Sequence, residues 1–85
     1  MAEVSSALDR AFARHRDDPG HREPVIVTVE VGCELTDVQG LDVRGTARGG
    51  TIVMATATAA AARELEARGD VVRLEHDGGD MRAFD

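Results

Sequence analysis

The three histidines and the one cysteine of this sequence, His15, His21, His76 and Cys33, are of the types that hold transition-metal ions. Zinc sites usually draw at least two ligands from a close pair such as C-x-x-C or H-x-x-x-H, which converge on one turn or helix face. No such pair occurs among the four, and three of them fall in predicted linkers or at helix ends. The spacing argues for solvated imidazoles and a half-buried thiol, with no metal bound. Asp17-Asp18 and Asp77/Asp80 read as turn and capping groups rather than as calcium ligands or a carboxylate pair for acid–base work. Ser5 and Ser6 stand at a predicted helix start with no histidine placed to activate them, which leaves them capping chemistry. Gly49-Gly50 and Gly78-Gly79 lack the strand-to-helix context in which a glycine-rich loop holds a phosphate, and they read as turns. No catalytic residue and no cofactor is expected.

Charge and composition narrow the partners. Sixteen acidic residues against ten basic ones give the 85-residue chain a net charge of −6, and it contains two Phe and no Trp or Tyr. Phosphate contacts need a concentrated positive surface, and RNA readers add stacking aromatics, so no nucleic-acid partner is expected. All ten basic residues are Arg, in keeping with GC-rich bacterial coding. The single cysteine cannot close an internal disulfide, and nothing demands an oxidising compartment. The start MAEVSSALDR lacks a basic stretch followed by an apolar one, and no apolar run approaches membrane length, so a cytoplasmic location with no membrane partner is expected.

The elements that position these groups follow from periodicity. Val4, Leu8 and Phe12, with Ala7 and Ala11, recur at helical spacing behind a possible Ser6/Asp9 capping box, predicting an amphipathic helix over residues 5–16 that Asp17-Asp18-Pro19-Gly20 ends. Val25, Val27, Val29 and Val31 alternate with Ile26, Thr28 and Glu30, predicting a strand with an all-Val inner face. After a connector whose Thr36–Val38 has room for one helical turn, Leu41, Val43, Gly45 and Ala47 alternate with charged residues as a half-exposed edge strand. Gly49-Gly50 sets a tight hairpin into Thr51–Ala57. Thr58 caps a helix over residues 59–68, with Ala61, Ala62 and Leu65 buried and Gly69 as a left-handed C-cap. Val72 and Leu74 form the inner face of a last strand. The core expected is Val25, Val27, Val29, Leu41, Val43, Leu65, Val72 and Leu74.

That order predicts an α+β fold, a ferredoxin-like split βαβ sandwich with an additional N-terminal amphipathic helix and helices on one sheet face. It divides the chain into an N-terminal helix and linker (1–22), an α+β domain (23–79) and a C-terminal tail (80–85). Arg44, Arg48 and Arg73 with Glu30, Asp42 and Glu75 are expected on the open face, where they are either solvated or part of a docking surface.

The phrases PVIVTVEVG, GLDVRGTARGGTIVMATAT, AAARELEARG and DVVRLEHD together resemble the propeptide-like inhibitor domain that precedes subtilisin-type serine proteases. The resemblance covers roughly two-thirds of the chain and is carried mostly by Val, Ala and Gly in the right order. It implies that the sheet face docks against the protease while the tail Met81, Arg82, Ala83, Phe84 and Asp85 lies in the substrate cleft. Met81, Ala83 and Phe84 match the apolar, small and large apolar residues such clefts favour, with Asp85 just past the scissile bond. Three features depart from the pattern: a connector shorter than the family's first helix, a base at Arg48 where members often present an acid, and the helix at residues 5–16. The alternative is a non-catalytic adaptor that recruits a partner encoded in the same multi-gene bacterial system. In that case the stripe Val4, Leu8 and Phe12 is available to a homodimer.

Overall fold

A computed structural model describes residues 1–78. Its elements in chain order are β1 (Glu3–Val4), α1 (Ser6–Ala13), β2 (Arg22–Val29), β3 (Leu41–Ala47), β4 (Ile52–Thr58), α2 (Ala59–Ala67) and β5 (Val71–His76). The strands form one sheet in the order β1-β5-β2-β4-β3. β2 runs antiparallel to both β4 and β5, so those two are parallel to each other, separated by β2 and joined by α2. This is a mixed α+β fold. β1, which the sequence pattern does not reveal, adds a short parallel pairing along β5.

The all-Val face of β2 organises the core. Val25 and Val27 are fully buried and Val29 nearly so, opposite Ala55 and Val53 of β4 and Leu74 and Val71 of β5. Leu8 from α1 and Ala61, Ala62 and Leu65 from α2 complete the same cluster, so both helices cover one face of the sheet. The connector between β2 and β3 forms a hydrogen-bonded turn rather than a helical one, and it tucks Leu35 and Val38 under that cluster.

Several local expectations need correction. The cap of α1 is Ser5, whose Oγ accepts from the Leu8 N–H at 3.1 Å, and not Ser6. The helix ends at Ala13 rather than Arg16, because residues 14–18 are exposed, charged or polar, and offer no apolar side chain to extend its stripe. Val72 is 48% exposed because a β-bulge at that point of β5 breaks the period-two count. Val43 keeps to the inner side opposite Ala55 and is 44% exposed because β3 is the edge strand, with a bulge just beyond it. The bulge in β3 also turns Thr46 inward opposite Val53 and places Gly45 and Ala47 on the outer face. Leu41 packs partly against the core, while Val31 lies beyond the end of β2 and is 85% exposed. The β3–β4 hairpin is not a two-residue turn: Arg48, Gly49 and Gly50 all take positive φ within a 3-10 turn.

Thr58 caps α2 as its type predicts, accepting from the Ala61 N–H at 3.2 Å. At the other end Arg68 is extended, and Gly69 is not in the left-handed region. Gly40 is where glycine is required. Its φ is +82°, and a Cβ there would lie 2.4 Å from the Thr58 cap oxygen. Gly40→Ala combines a left-handed backbone penalty with a displaced cap, and is expected to lower stability by about 2–4 kcal/mol in urea denaturation.

Candidate functional site

The helix-free face of the sheet is built by the residues that alternate with the core. Strand register arranges them in rows: Glu75, Ile26, Met54 and Gly45 in the middle, with Glu3, Arg73, Thr28, Ile52 and Ala47 on one side. On the other side stand Pro24, Thr56 and Asp42. Ile26 is only 1% exposed although no helix covers it, flanked by its partly buried cross-strand neighbours Met54 and Glu75. Gly45 has no side chain to hold Met54 away, and a Cβ there would meet the Met54 methyl at 3.6 Å.

Charges occupy the two edges. Arg73 lies 4.0 Å from Glu3 and 3.9 Å from Glu75 on one side, and Arg44 lies 3.5 Å from Asp42 on the other. These pairs are loose, and both arginines are solvent-exposed, so the pairs contribute little to stability and leave the arginines available. An apolar centre with a charged rim is the composition of a protein-binding surface.

Of the residues expected on this face, Arg73, Glu75 and Asp42 stand there, and Arg44 sits at its edge on the bulge of β3. Two do not. Arg48 is carried to the hairpin tip, and Glu30 follows the end of β2 with its N–H on the Asp70 carbonyl. The tail residues Met81, Arg82, Ala83, Phe84 and Asp85 lie outside the described residues.

The opposite face holds a cluster that spacing arguments missed. Glu23 continues the inner alternation of Val25, Val27 and Val29, pairs with Ala57, and is 8% exposed. Its Oε2 contacts His21 Nε2 and its Oε1 contacts His76 Nε2 at 2.7 Å. His15 stacks on His21, with ring centroids 3.6 Å apart and planes inclined by 17°. Burial pushes the Glu23 carboxyl up, but the hydrogen bonds and charge of His21 and His76 outweigh it and hold it below the ordinary value of 4.5. His21 and His76 are thus bonded groups, not solvated ones. The missed signal was Glu23 itself, since a carboxylate on the inner side of a strand must find partners.

Cys33 is in neither place. It lies beside Asp70, which takes both oxygens to Arg68 at 2.9 and 3.0 Å, and Arg68 also reaches Asp37 and the Glu34 carbonyl at 3.1 Å. This guanidinium fastens the β2–β3 connector to the α2–β5 turn. The Arg68 hydrogen bonds hold the Asp70 carboxyl well below the usual range, while burial and Asp70 push the Cys33 thiol from 9.0 to about 11. The thiolate population near pH 8 is then about 100-fold smaller than that of an ordinary cysteine, and the greater nucleophilicity of a basic thiolate recovers about tenfold of this. Alkylation of Cys33 by iodoacetamide near pH 8 is expected to run about tenfold slower than that of an unstructured peptide thiol, and Asp70→Asn should accelerate it.

No helix among the described residues is long and apolar enough to cross a membrane. Comparison with protein-family models, with curated proteins and with solved structures finds no match.

Proposed function

We propose that this chain is a non-catalytic protein-binding module that docks through the helix-free face of its sheet onto a subtilisin-type protease, as an inhibitor or folding chaperone. The observation that carries the reading is the pair of half-buried side chains Met54 and Ile52 beside the buried Ile26, set between charged edges on the face that both helices leave open. The strand order supports a ferredoxin-like description: β2, β3, β4, α2 and β5 follow the split βαβ pattern, with α1 and the Leu35–Val38 connector filling the space of the helix that would follow β2. The resemblance of Pro24–Asp77 to propeptide-like inhibitors supplies the partner class, and Met81 to Phe84 supply a segment suited to the cleft. The proposed location is cytoplasmic.

A second reading, an adaptor for a different protein or for a second copy of this chain, is favoured by Arg48. Its exposed place at the hairpin tip puts a base where an acid would meet the positive end of a protease helix. Assaying a panel of subtilisins against the intact protein tests the first reading. Stoichiometric inhibition at micromolar concentration or below is expected. Failure to inhibit any of them leaves the adaptor.

A further inference from the structure

On the helix-covered side of the sheet, away from the docking face, we infer a divalent transition-metal site formed by His15, His21 and Glu23, with His76 orienting the carboxylate. One potential ligand atom from each of the first three falls within 4.8 Å of the other two, a separation that small side-chain rotations close around one ion. Zinc binds imidazole nitrogen and carboxylate oxygen at about 2.0–2.2 Å, and two imidazoles with one carboxylate suit it, leaving a fourth position open. His15 lies in the exposed turn after α1 and has room to leave the stack. Glu23 and His21 are fixed by β2 and its approach.

Protons alone satisfy a carboxylate flanked by two imidazoles, as His21 and His76 show. That need does not explain why a third imidazole is gathered against the first. A metal ion explains it, because each of the three contributes a donor and the ion replaces the proton between His21 and Glu23. His76 then takes the outer role, its Nε2–H donating to the Glu23 oxygen left off the metal, which fixes the carboxylate's orientation as such partners do in metal sites. Access is available through a groove of about 250 Å3 that His15 and His21 line together with Arg16, Asp18 and Arg63.

The experiment is calorimetric titration of the full chain, carrying no histidine tag, with zinc alone near neutral pH, alongside the visible spectrum of the cobalt(II) form. Uptake of one zinc per chain is expected, together with the intense cobalt bands of a site with four or five ligands. His15→Ala alters only an exposed turn and should keep the fold, checked by circular dichroism, while losing stoichiometric uptake at micromolar zinc. His76→Gln should retain the stoichiometry with affinity reduced roughly 10–100-fold. No uptake by the unaltered chain, uptake unchanged in His15→Ala and Glu23→Gln, or uptake that disappears with Cys33→Ser would each overturn the assignment.

Discussion

Val27→Asp should leave a chain that does not fold at neutral pH. Val27 has no exposed surface, sits at the middle of the central strand, and faces Val53 on one side and Leu74 on the other. None of those neighbours can pair with a carboxylate, so the variant loses the Val contacts and buries an unsatisfied charge, together a penalty of several kcal/mol. A domain of this size has a total stability on the order of 5 kcal/mol, and its core is mostly Val and Ala. In the folded state burial would raise the introduced carboxyl's pKa above its unfolded value, so the loss is smallest in acid and grows as pH rises through that unfolded value. Circular dichroism and urea titration check this. A cooperative transition close to that of the unaltered protein would show that Val27 is not in the core.

Removing residues 80–85 should abolish inhibition of a subtilisin while leaving the fold intact. Among the described residues the core runs from Ala2 to Leu74, and the last described pairing is the Asp77 N–H on the Pro24 carbonyl at 3.0 Å. An extended segment in a protease cleft gains main-chain hydrogen bonds and one filled pocket for each anchor side chain. If Phe84 fills the largest of those pockets, Phe84→Ala costs about 2–4 kcal/mol, or roughly 30–1,000-fold in the inhibition constant. Inhibition constants and melting curves measured on the same preparations separate the two effects. Under the adaptor reading the truncation leaves partner binding unchanged.

The parts of this fold that were legible in the sequence are those where a single period runs unbroken. Val25, Val27 and Val29 alternate without interruption, and Thr58 before four alanines marks a capped helix. Where a bulge adds one residue to a strand the count goes out of step, as at Gly45 and Val72, because a bulge is a property of the pair of strands and not of either alone. Ser5 and Ser6 are chemically equal candidates for a cap, and only the backbone decides between them. The helix-free face was legible through the residues between the valines, except that Glu30 and Arg48 fall outside the paired register. The histidine cluster was not, since His76 meets Glu23 only through the register of β5 on β2, and His15 arrives from the turn after α1.

The proposed docking of the helix-free sheet face onto a subtilisin-type protease is tested most directly by the inhibition constant of a variant altered only there. Ile52→Asp with Arg73→Glu puts a carboxylate among the apolar side chains of that face and reverses one edge charge, without altering the tail or the buried core. The expected result is a fold retained by circular dichroism and inhibition weakened at least about 100-fold, as when an apolar contact and a rim charge both turn unfavourable. Inhibition by the folded variant equal to that of the unaltered protein would contradict it.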